Sequence, residues 1–373
     1  MDKKKLVFAH LYNDYSGSPR ILSDLIKVLR RNNCQIELYA GNRYGGVLDS
    51  TGCDFKIFWY RRSGIKLVRL LFYFFSQMHL FLKLICKGKN IHRIHVNTYL
   101  PFGASLAGKL LGIPVVYHIM ETSLRPILLK RFLRAVMKVC ATDIVYLSED
   151  LYSKEKADGF RKLILYPTVS NQIYNASVNY RNCKQAIAPQ DFIILMICSL
   201  RAYKGVEEFV KVASKLEGDT GVRFQLVLNA SPEEVKVFKL QVRQPANLEI
   251  FSSQDDVTTF LKECSIMVNM SRPDQWVETF GLTILEAMFF GKPVIVPPVG
   301  APTEYVENGI EGYQVSSYEI DAFVELIRKL MADKKLYTYL AENAYEKATA
   351  YCPSAFEANA LKLFNETLGS VVS

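Results

Sequence analysis

The chain lacks the paired cysteines that cross-link or metallate small proteins. Its eight cysteines, among them Cys34, Cys86, Cys198 and Cys264, stand singly with no C-x-x-C pair. That excludes a zinc ribbon and gives no disulfide framework, and a reducing cytoplasm is the expected compartment. No uninterrupted apolar run approaches the roughly 18 residues of a membrane-crossing helix. The apolar stretch Leu6-Val7-Phe8-Ala9, behind Lys3, Lys4 and Lys5, is too short for a signal-peptide core and reads as a first buried strand. Recognition-helix, zinc-finger and RNP-like aromatic motifs are all missing, so no nucleic-acid partner is expected.

What is present is a large apolar chain of 373 residues, half of them hydrophobic, which suits two domains. Charge is unevenly shared. Residues 1–170 hold 27 Lys and Arg against 12 Asp and Glu, a net of +15, whereas residues 171–373 hold 19 against 25, a net of −6. A basic first half points to an anionic partner.

Strand-like and helix-like segments alternate. Strands are expected at 6–10, 35–39, 91–97, 114–118 and 143–147, with helices at 21–31, 105–111 and 128–140. A pause over 167–190, with Pro167 and Pro189, reads as a linker. The alternation resumes with strands at 192–197, 224–228, 266–269 and 293–296, and helices at 206–216, 281–290 and 318–349. This pattern predicts α/β architecture: two Rossmann-like, doubly wound domains facing a central cleft. The boundaries fall at 1–174 and 175–350, with 351–373 a last helix returning to the first domain. Residues 61–90 form an apolar segment flanked by Arg61, Arg62, Lys66, Lys87 and Lys89. It reads either as a buried helix of the first domain or as an amphipathic helix resting on an anionic membrane surface.

Four constellations carry chemistry. In Glu278-Thr279-Phe280-Gly281-Leu282-Thr283-Ile284-Leu285-Glu286, two carboxylates stand eight residues apart around a helix start. The amides of Phe280, Gly281 and Leu282 favour phosphate or sugar oxygens, and Glu286 can accept from vicinal hydroxyls. Alone, such a pair also serves the helix dipole and a solvated face. Ser199-Leu200-Arg201-Ala202-Tyr203-Lys204-Gly205 places Arg201 and Lys204 after the second domain's first strand, where they suit a diphosphate or stand as solvated loop cations. Asp14-Tyr15-Ser16-Gly17-Ser18 is a turn before a helix, either at the ligand end of the first domain or simply a connection. His118, ahead of Met120 and Glu121, is a catalytic candidate or a structural histidine.

Together these residues resemble glycosyltransferase family 4, the retaining GT-B transferases. The likeness runs from the Gly17 turn to about Gly312 and is most specific in the E-x7-E box with its trailing Gly291-Lys292-Pro293, Glu304 and Gly309. The resemblance implies the GT-B fold and transfer from a nucleoside-diphosphate sugar, UDP- or GDP-linked, without a metal or cofactor. It implies catalytic roles for His118, Glu278, Lys204 and Arg201. The donor would lie against Ser16, Gly17, Arg201, Lys204, Glu278, Thr279, Phe280, Gly281, Leu282 and Glu286. The acceptor would be a glycan or polyprenyl-linked glycan in cell-surface polysaccharide or lipopolysaccharide synthesis, handled in the cytoplasm at the inner face of the plasma membrane. The chain departs from the pattern at Ser199-Leu200-Arg201, where Gly-Arg-Leu is usual, at Met120, where relatives often carry a second histidine, and at Gly300-Ala301, where a glycine pair is frequent. A nucleotide-sugar epimerase of the same fold and a non-catalytic two-lobed binding protein are the competing readings.

Overall fold

Short runs rich in Val, Ile, Leu and Phe form strands buried on both faces, as parallel sheets require. A computed structural model describes residues 5–41, 45–88, 90–182 and 191–368. They belong to two units, Met1–Pro167 with Ser354–Ser373, and Thr168–Pro353. The first unit runs β1 (Lys5–His10), α1 (Gly17–Arg31), β2 (Ile36–Ala40), β3 (Asp54–Ile57), α2 (Lys66–Lys87), β4 (Ile91–Asn97), α3 (Phe102–Leu111), β5 (Val115–Ile119), α4 (Ile127–Cys140), β6 (Asp143–Tyr146), α5 (Glu149–Glu155) and β7 (Leu163–Ile164). Its sheet has the order β3-β2-β1-β4-β5-β6-β7, and every pairing is parallel.

The second unit begins with α6 (Asn171–Asn182), followed by β8 (Phe192–Ser199), α7 (Val206–Lys215), β9 (Val222–Asn229), α8 (Pro232–Gln241), β10 (Leu248–Phe251) and α9 (Thr258–Glu263). It continues with β11 (Ile266–Val268), α10 (Leu282–Phe289), β12 (Val294–Val296), β13 (Gly312–Gln314), α11 (Ile320–Ala332) and α12 (Lys334–Thr349). Its sheet order is β10-β9-β8-β11-β12-β13, again all parallel. Both sheets are doubly wound, reversing direction between β1 and β4 and between β8 and β11. Such reversal points leave a crevice beyond the carboxyl ends of the strands.

The last helix, α13 (Pro353–Leu368), packs in the first unit. Phe356, Ala360, Leu363 and Phe364 join Phe8, Leu25 and Leu38 in its core. The buried Arg93 guanidinium donates to the hydroxyl and the carbonyl of Thr367, both at 2.7 Å.

Three expectations are corrected. The stretch 167–190 is not all linker, because α6 occupies Asn171–Asn182. Its Tyr174 ring meets Phe289 edge-on at 5.6 Å, and its Tyr180 hydroxyl accepts from Lys292 at 3.1 Å. Only Ile173 and Ser177 of α6 are buried, too weak a stripe to read as a helix in sequence. Second, the units divide after Pro167 and Pro353 rather than at 174 and 350. Third, of the two readings of residues 61–90, the buried core helix does not fit, since α2 exposes a whole apolar face. Lys3, Lys4, Lys89 and Pro189 lie outside the described residues.

Candidate functional site

In the second unit the residues singled out in sequence gather at the reversal between β8 and β11. β8 ends at Ser199, and the chain passes through Arg201 into a single 3-10 turn over Ala202–Lys204. Gly205 closes that turn at φ +75°. A Cβ there would stand 1.9 Å from the carbonyl oxygen of Met270, so only glycine lets this loop lie against the one leaving β11. The Arg272 amide donates to the Tyr203 carbonyl at 2.8 Å. The Arg272 side chain pairs with Glu207 at 3.1 Å and Glu208 at 2.8 Å on α7. The two loops are therefore one fixed body.

Between them lies an ion pair of Lys204 and Glu278, both largely buried. Asn269 Nδ2 at 3.2 Å and Ser271 Oγ at 2.9 Å donate to the same carboxylate oxygen, Oε1. Burial alone would raise the Glu278 carboxyl. The Lys204 charge and the three donors outweigh it and hold the group below the usual carboxylate range. Lys204 Nζ also sits 4.7 Å over the Trp276 ring, which stacks at 4.8 Å on Tyr203. Burial pushes the neighbouring Cys198 thiol up to about 12, the Lys204 charge opposing it. That sulfur is an inert thiol.

Gly281, at φ +88°, turns the chain into α10. The Tyr305 hydroxyl fixes this turn by donating to the Phe280 carbonyl at 2.5 Å. Thr279 is half-buried, Phe280 is buried against Tyr305, and Leu282 opens the helix. The first N–H groups of a helix lack partners within it, so this start is suited to anionic oxygens. Glu286 lies one turn on and is buried. The Ala301 amide donates to the Glu278 carbonyl at 3.0 Å, so the Gly300-Ala301 departure still anchors the box.

Arg201 stands apart from this cluster, exposed at the loop surface where its charge acts on Glu234 of α8. In the first unit Ser16 and Gly17 are exposed at the start of α1, with Asp14 accepting from the Ser16 amide at 3.0 Å. His118 is the fourth of the five residues of β5. It is fully buried within β5, its ring 5.6 Å from that of His95, and burial lowers it to about 3. The neutral ring has no route to solvent through its own surface, because strand pleating turns it into the layer beneath the sheet. Met120 is buried, and burial raises the half-buried Glu121 carboxyl to about 7.

Sequence reasoning passed over Asn269, Ser271, Tyr203, Trp276 and Tyr305. Trp276 was within reach, two residues before Glu278. Asn269 follows a strand at its carboxyl end, which is where ligand-binding side chains collect. Among the described residues, no group of three or more His, Cys, Asp or Glu is placed to hold a metal ion.

Residues 182–347 match the family model of glycosyl transferases group 1. The chain is 26% identical over 179 residues to N,N'-diacetylbacillosaminyl-diphospho-undecaprenol alpha-1,3-N-acetylgalactosaminyltransferase of Campylobacter jejuni, covering 48% of this chain and 46% of that protein. It is 27% identical over 164 residues to N-acetyl-alpha-D-glucosaminyl L-malate synthase of Bacillus anthracis, covering 43% and 41%. The chain thus spans less than half the length of these curated relatives in the matched stretch. Over almost its whole length it superposes on Anabaena HepE in complex with UDP and glucose, at TM-score 0.77 and 19% identity, covering 99% of this chain and all of that one. It superposes similarly on WaaG, a glycosyltransferase involved in lipopolysaccharide biosynthesis, at TM-score 0.72 and 16% identity, covering 98% and 100%. The fold is that of the GT-B glycosyltransferases, and the match to the group 1 model falls within the second unit.

Proposed function

We propose that this protein is a retaining glycosyltransferase that moves a sugar from a UDP- or GDP-linked donor to a glycan or polyprenyl-linked glycan in cell-surface polysaccharide synthesis. We place that reaction in the cytoplasm. The observation that carries the reading is the Lys204–Glu278 pair, held by Asn269 and Ser271 beside the start of α10. A diphosphate entering this point competes with Glu278 for the Lys204 ammonium. The freed carboxylate can then accept from hydroxyls of the sugar. As the bond from sugar to phosphate breaks, negative charge grows on the leaving diphosphate, and Lys204 with the amides of Gly281 and Leu282 meets it. Those groups would do without a metal ion what a divalent cation does elsewhere. Glu286, buried one turn further, accepts from the ribose in this scheme. Arg201 reaches the diphosphate only by swinging from the surface, and His118 has a structural part.

The likeness of the fold to HepE with bound UDP and glucose and of the sequence to an undecaprenol-linked acetylgalactosaminyltransferase supports this substrate class. Thermal unfolding in the presence of UDP, GDP and ADP tests it first. The cognate nucleotide at 100 times its Kd adds about 2.7 kcal/mol of stability. Glu286→Ala lowers nucleotide affinity by about 1–3 kcal/mol, the cost of a lost buried acceptor. Stabilisation by none of the three overturns the proposal. Conversion of nucleotide sugar without any acceptor would instead identify an epimerase.

A further inference from the structure

α2 turns Tyr73, Ser76 and Gln77 inward while Lys66 and Lys83 stay exposed. Its buried residues are Tyr73, Ser76, Gln77, Leu80 and Leu84. Its outward stripe is Leu67, Leu71, Phe75, Met78 and Leu82, each at least half exposed, at spacings of four, four, three and four residues. A helix facing water has the reverse arrangement. The inward polar groups are used. Gln77 Oε1 accepts from the Gly103 amide at 3.2 Å, and the Tyr73 hydroxyl donates to the Leu100 carbonyl at 2.6 Å. A Cβ at Gly103 would stand 2.1 Å from the Gln77 carbonyl oxygen, so α3 lies directly against α2.

The neighbouring helices extend the apolar face. Phe74 packs on Phe102 of α3 at 5.7 Å and on Phe132 of α4 at 5.8 Å, joining the three helices. Leu106 and Leu110 of α3 are exposed, as are Leu128, Phe132 and Val139 of α4. Single exposed leucines are ordinary, but a connected field of this size marks an interaction surface.

Charge says what covers it. Residues 55–142 contain 15 Lys and Arg and one acidic residue, Glu121. Arg61, Arg62, Lys66, Lys109, Arg131 and Lys138 are exposed on these helices or on the loop leading into them. A second copy of the chain would bring this cationic field against itself. A nucleic acid would leave the leucines and phenylalanines uncovered. An anionic lipid surface satisfies both features, taking the apolar stripe into the acyl boundary and the cations at the headgroups.

We propose that the α2–α3–α4 face docks the first unit in the plane of an anionic lipid bilayer. α2 is long and apolar enough to cross a membrane by length and composition. It lies on the surface instead, because crossing would tear Gln77 and Tyr73 from their partners and carry Arg69 and Lys83 into hydrocarbon. The docking is independent of the sugar-transfer reading and is measured without substrate.

The test is co-sedimentation of the full chain with vesicles of phosphatidylglycerol or of phosphatidylcholine, at low and high salt. Wild type pellets with the anionic vesicles at low salt and is released by high salt. Phe75→Ser with Leu128→Ser, and separately Arg131→Glu with Lys138→Glu, each lower the partition coefficient at least about tenfold. All four positions are exposed, so both variants keep the wild-type melting temperature and nucleotide-induced stabilisation. Failure of wild type to bind, equal binding to both lipids, or full binding by both variants overturns the proposal. So does a dimer in solution that Phe75→Ser dissociates, which would assign the face to a second copy. Nucleotide stabilisation without vesicle binding would leave the transferase reading standing and remove this one.

Discussion

Lys204 is gripped from two directions, by the Glu278 carboxylate and by the face of Trp276, which itself rests on Tyr203. A lysine on a flexible stem loses side-chain entropy when it holds a phosphate, and the Trp276 face, which stays when Glu278 is displaced, removes part of that cost beforehand. On the transfer proposed above, Lys204→Ala lowers kcat by about 100-fold or more while nucleotide affinity changes by less than about tenfold, because the ammonium would matter most when charge accumulates on the leaving group. Trp276→Leu keeps an apolar side chain but loses the ring face, and lowers kcat less than Lys204→Ala does. Steady-state rates beside nucleotide titrations decide this, and equal losses of kcat and affinity in Lys204→Ala would remove the assigned role. At this scale the sequence exposes what is contiguous. Glu278, Gly281 and Glu286 sit in one run whose spacing states a helix start, whereas Asn269, Ser271 and Trp276 become partners of the pair only once β11 lies beside β8.

The loop after β8 and the loop after β11 work as a single element, and their contact depends on Gly205. Gly205→Ala adds the strain of a positive φ to a collision with the Met270 backbone, so it costs at least about 3 kcal/mol of unfolding free energy. Gly309 is the control. Its φ is +79° but nothing lies within 4 Å of a Cβ there, so Gly309→Ala costs only about 1–2 kcal/mol. Denaturant midpoints of the two variants test the difference, and similar values would mean that the loops part readily. Element by element, the buried strands β1 and β8 were readable because parallel sheets demand continuous apolar runs. The short β3 and β10 are broken by Lys56 and Glu249, whereas the even shorter β11 and β12 are apolar throughout and were readable. α8 did carry a signal that went unused, the capping box of Ser231 with Glu234. α2 was readable as a helix with two alternatives, buried in the core or lying on a surface, and the exposed stripe of Leu67, Leu71, Phe75, Met78 and Leu82 removes the wholly buried one.

Across the whole molecule, titration is lopsided. All five histidines, His10, His79, His92, His95 and His118, belong to the first unit, and three of them are buried. Burial lowers His10 to about 4 and His118 to about 3, and holds His95 well below its ordinary value. Above pH 6.5 these rings are neutral in both folded and unfolded chains. As pH falls below 6.5 the unfolded chain binds protons that the folded unit refuses, so stability is lost down to about pH 4 for His10 and about pH 3 for His118. At about 1.4 kcal/mol per pH unit, His10 alone accounts for roughly 3 kcal/mol. Two carboxyls act in the opposite direction. Burial raises Glu121 to about 7 and Asp24 to about 6, so the folded unit takes up their protons first and gains stability until the unfolded carboxyls titrate near 4. Three histidines outweigh two carboxyls, and below pH 4 only the histidine term still grows. In the second unit Glu278 is lowered instead, so its contribution is complete above pH 4.5 and is lost only below it. The first unit is thus the acid-labile half. Hydrogen exchange at pH 7.5, 5 and 4 should show protection lost first in β1, β4 and β5, with β8 and β9 retaining theirs. His118→Leu removes one proton-binding site from the unfolded state and makes the acid limb shallower, whereas Glu121→Gln removes an opposing one and makes it steeper. Loss of protection in β8 before β1, or an acid limb unchanged in both variants, would show that the buried histidines do not govern acid stability.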